Sequence, residues 1–451
     1  MKNIINKLYL ILPTVIQQFW NKVENSDIGS RFANGAFWSL TGSVVSQGLM
    51  ILASIVVARI LGKLEYGELG MIRSTVNMFV VFAGFGLGIT ATKYIAEFRI
   101  KDPDKTGKII GLTTIFAGVI GLIIAIAILI TAPVLAEKTI NAPHLVNEIR
   151  LGAVILFFSA LNGAMTGILA GFQAFKSIAK INLVAGLIAF PLQIGLTLLL
   201  GLPGSVIGFG LNFLILWTFN FITVRKVTAK YDINIQFKNS LNEWPILYKF
   251  SLPALLSGLM VSPVVWACNA LLVNQPNGYG EMAIFDVANQ WRGAILFIPV
   301  ALSQIILPLL SDSENHNQFD RIMKINIVIN IVISSLITIV ISFLSSFIMK
   351  SYGKGFEEGK FVLIILAISA IFISVNNVIG QAIASKGKMW IGFLFNLIWG
   401  IILLICAYIY LNLGYGAKGL AYSFLIAYTM HTLVQLTYAK IYLIKPNLKN
   451  V

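Results

Sequence analysis

Apolar runs of bilayer length recur along the chain and are separated by short polar connectors. A membrane-spanning helix needs about 20 mostly apolar residues, and segments of that kind fall near 35–60, 68–92, 109–134, 147–172, 179–200 and 204–224. A second set falls near 248–273, 282–310, 325–349, 360–384, 389–412 and 417–440. Connectors such as GLPGS (201–205) and ASKGK (384–388) leave no room for a folded soluble domain. The pattern predicts an all-α polytopic membrane protein of twelve transmembrane helices.

The two sets of six resemble each other. YGE occurs at 66–68 and again at 279–281, each time just before an even-numbered segment. WSLTG (38–42) and FSLPA (250–254) open the first and seventh segments, so Ser39 and Ser251 keep nearly the spacing that separates the YGE pair. A parallel repeat of this kind implies two pseudo-symmetric six-helix bundles around a central cavity, a plan used by transporters. The expected division is an amphipathic cytoplasmic segment at 1–30, an N-terminal half at 31–226, a cytoplasmic connector at 227–245 and a C-terminal half at 246–445. Within residues 1–22, Ile4, Leu8, Ile11, Val15 and Phe19 recur at helical spacing against Asn6, Lys7, Gln17 and Gln18. That suits a helix lying on the inner leaflet.

Composition agrees: 57% of the 451 residues are hydrophobic and 11% charged, where a soluble domain carries about 25% charged residues. The net charge of +15 would suit a nucleic-acid partner, but its distribution excludes one. With the N-terminus in the cytoplasm, 23 of the 33 Lys and Arg fall on cytoplasmic segments and eight on the opposite side. Basic residues concentrate on the inner side of membrane proteins, so both termini are expected inside. Cys268 and Cys406 lie in apolar runs and read as buried thiols, not a disulfide or metal pair. No cofactor is implied.

The remaining two basic residues, Arg73 and Arg292, lie inside predicted spans. An arginine there costs roughly 2.5–3.5 kcal/mol on the mildest scale and marks a functional site by default. At 1.5 Å per residue they fall ~10 Å and ~16 Å from the outer boundary. Aligned on YGE, Arg73 matches Asp286. Arg73, Asn77, Gly84 and Gly88 follow helical spacing. In the eighth segment Asp286, Asn289, Gln290, Arg292, Gly293, Ser303 and Gln304 share one arc. Further polar positions recur at Ser39, Ser43, Ser46 and Gln47, at Ser159, Asn162 and Thr166, at Asn376, Asn377 and Gln381, and at His431, Gln435 and Tyr438. So much amide and hydroxyl chemistry facing lipid would go unsatisfied, which predicts a hydrated cavity. An internal Arg–Asp pair that only holds the bundle together is the structural alternative. Two arginines against one carboxylate favour an anion, and the guanidinium fork suits phosphate. Arg73, Arg292, Asp286, Asn77, Asn289 and Gln290 are the expected substrate contacts. Ser43, Gln47, Asn162, Asn376, Gln381 and Gln435 are the expected polar lining. The inferred cargo is an anionic headgroup carrying sugars.

Residues 31–88, RFANGAFWSLTGSVVSQGLMILASIVVARILGKLEYGELGMIRSTVNMFVVFAGFGLG, resemble the start of a polysaccharide or O-antigen flippase of the multidrug/oligosaccharidyl-lipid/polysaccharide exporter superfamily. The span count, the ARILG…YG turn and the two halves extend the resemblance over the chain. It implies translocation of an undecaprenyl-diphosphate-linked oligosaccharide, in polysaccharide or lipopolysaccharide biosynthesis, across the bacterial cytoplasmic membrane by alternating access. Its partners would be that lipid-linked substrate, the membrane, and a coupling proton or sodium ion. Related peptidoglycan-precursor flippases use cavity arginines in the second and eighth spans for the diphosphate, places that Arg73 and Arg292 fit. They also carry basic residues in the first span, whereas 35–58 holds no charge, and two further C-terminal helices are expected to be absent here. A cation-coupled multidrug exporter of the same superfamily would need a carboxylate in the first or seventh span, and neither 35–58 nor 248–273 contains one. An integral-membrane glycan polymerase or ligase would need a catalytic cluster on a sizeable outer loop. His144, His316 and His431 are scattered instead, and GKGFEEGKF (353–361) departs from a phosphate loop in glycine spacing and in Phe361.

Overall fold

The computed structural model describes residues 27–251, 255, 260–311 and 316–444. The interfacial helix expected at 1–22 lies outside the described residues, as do the side chains of Ser39, Ser43, Ser303 and Gln304. Eleven α-helices are described: α1 Asp27–Gly84, α2 Leu87–Phe98, α3 Pro103–Val134, α4 Val146–Gly171, α5 Phe175–Lys230, α6 Val261–Val273, α7 Gly278–Ser311, α8 His316–Ser351, α9 Lys360–Ser385, α10 Met389–Asn412 and α11 Gly416–Tyr438. No strand occurs among the described residues.

Seven described helices are long and apolar enough to cross a membrane. Two of these, Val44–Phe98 and Phe175–Lys230, run to 55 and 56 residues, more than twice the length of one crossing. Each bends where a connector was expected, at Gly62 (φ 76°) in α1 and at Gly201 (φ 63°) in α5. A positive φ is open to glycine at little cost. At the second bend the chain turns back on itself. The Thr197 and Ser205 hydroxyls bond at 2.7 Å, Gln193 donates to the Ser205 carbonyl (3.1 Å), and Gly204 leaves no room for a Cβ against Leu196. The helices α6, α7 and α11 fall outside the seven. The described part of α6 is short, while α7 carries Glu281, Asp286 and Arg292, and α11 carries His431 and Gln435.

One expectation needs correction. The second segment is not a continuous helix over 68–92, because Phe85 (φ 43°) and Gly86 (φ 64°) break it between α1 and α2. The stripe from Arg73 therefore stops short of Gly88. That glycine packs closely on Gly163 and Gly167 of α4 instead, and the Thr92 hydroxyl donates to the Gly167 carbonyl at 3.0 Å.

Large apolar side chains such as Phe343, Leu199 and Ile130 are left exposed on outer faces, where lipid replaces water as solvent. The interior is divided unevenly. The largest apolar cluster joins both halves, from Tyr66 and Leu69 to Phe285 and Leu363, at the end that carries Gly62 and Gly278. At the opposite end, among the described residues, one cluster gathers around Ile95 and Ile168, with Ile246 from the start of the C-terminal half, and another around Phe319 and Val378 within the C-terminal half. The halves are fused at the first end; at the other, among the described residues, Thr90 and Ser251 still bond across them at 2.7 Å. The connector is not loose. Gln236 donates its backbone N–H to the Gly107 carbonyl (3.2 Å), and the close approach of Asn234 and Gln236 to α3 needs the bare glycines 107 and 111.

Candidate functional site

Between the halves, below the fused end, lies a cavity of about 610 Å³. Its walls come from both halves: Ser46, Gln47, Ser54, Arg73, Ser74 and Asn77 on α1, Asn212 on α5, Ser262 and Asn269 on α6, and Asp286, Asn289 and Gln290 on α7. Six expected residues thus meet in one space: Arg73, Asn77, Asp286, Asn289, Gln290 and Gln47. The polar residues Ser54, Asn212, Ser262 and Asn269 are additions that sequence reasoning missed. Each is a single polar position in an apolar run, with no stripe to announce it.

The centre of the wall is an ion pair between halves. Arg73 Nη1 stands 3.7 Å from Asp286 Oδ2, with side chains 15% and 14% exposed. At that separation the contact is Coulombic and not a hydrogen bond. The guanidinium is held by rings, with Tyr66 and Phe209 centroids at 5.9 and 5.6 Å, and its buried Nε has no hydrogen-bond partner. Arg73 is therefore positioned but far from saturated. Asp286 is better bound, because Gln290 Nε2 donates to its Oδ2 at 2.8 Å and to the Tyr66 hydroxyl at 2.9 Å. Gly70 lets Asp286 come this close, since a Cβ there would touch the Asp286 side chain at 3.1 Å. Asn269 donating to Ser74 (2.8 Å) and Trp266 donating to Thr75 (3.1 Å) tie α6 to α1.

Ser43 aside, the other expected lining residues lie elsewhere. Asn162 accepts from Asn220 Nδ2 (2.8 Å) inside the N-terminal half, and Thr166 stands 3.3 Å from the same donor. Asn376 is buried in the C-terminal half, Gln381 is half-buried on the same helix, and Gln435 pairs with His431 at 2.9 Å. Arg292 also stands apart from the cavity. It is buried against Phe424 and Tyr428 of α11, with centroids at 4.7 and 6.0 Å, and its Nη1 has no partner. Six residues advance a helix by about 600°, so Arg292 projects roughly 120° away from Asp286, toward α11.

The cavity is closed toward the fused end by contacts that cross the seam. Tyr66 meets Tyr352 and Phe356 edge-on at 6.3 and 5.9 Å. The Tyr352 hydroxyl bonds Ser54 and accepts from Trp291 Nε1, both at 3.1 Å. Arg59 Nε donates to the Ser351 carbonyl (2.6 Å), and Lys63 pairs with Glu358 at 3.4 Å. From the other half, the Tyr279 hydroxyl donates to the Ile140 carbonyl (2.8 Å) and Asn274 donates to the Thr139 carbonyl (2.7 Å). Among the described residues no group of His, Cys, Asp or Glu could hold a metal ion.

Comparison with known proteins fits this architecture. The family model described as polysaccharide biosynthesis protein matches residues 32–314. The EPS I polysaccharide export inner membrane protein EpsE of Ralstonia nicotianae is 22% identical over 422 residues, covering 90% of this chain and 92% of that protein. Among solved structures, an inward-facing multidrug resistance MATE family transporter of the MOP superfamily aligns with a TM-score of 0.69 at 16% identity, over 90% of this chain and 97% of that one. The lipid II flippase MurJ in an inward closed conformation aligns with a TM-score of 0.68 at 16% identity, over 91% and 87%. At such identities the two structures show a shared fold.

Proposed function

We propose, because the chain belongs to the polysaccharide biosynthesis protein family, that it is a flippase for a lipid-linked glycan. The cargo is an undecaprenyl-diphosphate-bound oligosaccharide, carried from the inner to the outer leaflet of the bacterial cytoplasmic membrane by alternating access. Both termini face the cytoplasm, so the fused end is the outer end and the cavity opens inward. The observation that carries the reading is Arg73: a membrane-embedded guanidinium in a polar cavity, held by rings and a loose carboxylate contact, with donors left over. A planar guanidinium binds a diphosphate through parallel hydrogen bonds. Amides and hydroxyls of Gln47, Asn77 and Asn289 offer partners for sugars. Arg292 would meet the diphosphate only after α7 and α11 part. A proton or sodium ion is the proposed coupling ion.

Proteoliposomes holding a fluorescent undecaprenyl-diphosphate disaccharide test this through the loss of signal to a membrane-impermeant quencher. The protein should speed exchange between leaflets, and Arg73→Ala should abolish the gain. No acceleration by the folded wild-type protein would sink the proposal.

A further inference from the structure

The cavity and the outer seal share one side chain. Gln290 has a single amide nitrogen, and its two hydrogens go to Asp286 Oδ2 in the cavity and to the hydroxyl of Tyr66 in the seal. Neither acceptor is interchangeable. The carboxylate can only accept, which fixes the amide with its nitrogen toward both groups. Tyr66 is fully buried and lies against Tyr352 and Phe356, which are buried as well. The next residue on α7, Trp291, holds Tyr352 in turn. One turn of α7 thus braces both tyrosines of the seal, and its own position rests on Asp286 facing Arg73.

We infer that Gln290 couples cargo to the outer seal: an anion that takes Arg73 from Asp286 unfastens Gln290 from Tyr66 and loosens the Tyr66–Tyr352–Phe356 contact. The step rests on the flippase reading and adds to it a residue that passes the signal on. An incoming diphosphate competes for Arg73, whose spare donors favour it over a carboxylate 3.7 Å away. It also brings negative charge beside Asp286 in a site only partly wetted, where like charges repel more strongly than in water. The Asp286 carboxylate turns away, the Gln290 amide loses one of its two fixed acceptors, and its grip on Tyr66 goes with it. Cargo on the inner side would then weaken the outer seal, the order that alternating access requires.

The test places spin labels at Leu64→Cys and Lys354→Cys, two exposed positions on opposite sides of the seam, in a Cys268→Ala, Cys406→Ala background in nanodiscs. Distances across the seal are read with and without undecaprenyl diphosphate, and binding of the same lipid is measured in parallel. The wild type should hold a short distance alone and shift to a longer one with the lipid. Gln290→Leu should populate the longer distance without any lipid, whatever its affinity for the lipid. At lipid concentrations that saturate it, Asp286→Asn should stay short, because a neutral amide keeps accepting from Gln290 whatever occupies Arg73. Gln290→Leu that keeps both the short distance and the lipid response of the wild type would overturn the coupling. If the wild type fails to bind the lipid while Gln290→Leu still opens, the coupling stands and the diphosphate reading falls.

Discussion

Tyr66 and Tyr279 occupy equivalent places in the two halves, and each reaches into the half to which it does not belong. Tyr66 lies against Tyr352 and Phe356, while Tyr279 bonds the Ile140 carbonyl. The targets nearly correspond, since Ile140 and Tyr352 stand 212 residues apart and the two tyrosines 213. The seal is thus a reciprocal exchange about the pseudo-twofold axis. The equivalence is inexact: the Tyr66 hydroxyl accepts from Gln290 in the cavity wall, while the Tyr279 hydroxyl donates to a backbone carbonyl.

At the centre of this exchange Gly67 lies against the backbone of Tyr279, where a Cβ would overlap the carbonyl oxygen. Gly67→Ala should force the halves apart at that end, and overpacking of this kind costs typically 1–3 kcal/mol. Cross-linking between cysteines at 64 and 354 should fall at least several-fold. Gly48→Ala, with nothing within 4 Å of its Cβ, should leave cross-linking unchanged. Equal yields in the two variants would contradict the close approach.

The contacts of the seal should differ widely in weight. Glu358 is 76% exposed in its pair with Lys63, and such pairs contribute about 0–1 kcal/mol. Glu358→Gln should leave seal distances and thermal stability unaltered. Phe356 is buried, and removing a buried aromatic ring costs about 3–5 kcal/mol. Phe356→Ala should open the seal or lower the melting temperature clearly, as read by spin-label distances and a thermal-shift assay.

Topology can be checked in intact cells. Cysteines replacing the exposed residues Leu64 and Pro276 should react with an impermeant thiol reagent, and one replacing Lys238 on the connector should not. Reaction at 238 alone would invert the orientation.

The arginines should separate by substitution. Arg73→Lys keeps the charge but loses the fork, so lipid-diphosphate affinity should fall by about tenfold, roughly one hydrogen bond to a charged group. Arg292 is a buried cation with an unpaired Nη1, and replacing buried charge by an apolar residue of similar volume is often neutral or stabilising. Arg292→Met should accumulate in the membrane at wild-type levels or above, measured by quantitative blotting, while export drops. Loss of the folded protein would mean that Phe424 and Tyr428 need the guanidinium between them.

Much of this was legible in the amino-acid order. Bilayer-length runs fixed the helices, and Gly62 and Gly201 fell inside expected connectors. Aligning YGE paired Arg73 with Asp286 before any contact was known. What escaped depends on angles around helices and on close approach. The single arc assigned to the eighth segment was too generous, because a helix wedged between α1 and α11 shows each only part of its surface. Arg292 lay on the far part. The break at Phe85–Gly86 turned Gly88 to α4, although the glycine-rich run FAGFGLG signalled it. Asn162 and Gln435 looked like cavity residues because polarity alone does not distinguish a group facing water from one paired to a neighbour, Asn220 or His431.

The uneven interior has an energetic consequence. Among the described residues, the fused end shares the largest apolar cluster between the halves, while at the other end only Ile246 and Leu247 of the second half join clusters of the first. Left alone, the molecule should rest in this posture, since parting the fused end gives up those buried contacts. On the inward-to-outward reading proposed above, an empty carrier would return to the side where cargo is made without a separate reset. The uphill stroke would then be the loaded one, and whatever drives transport would be spent there.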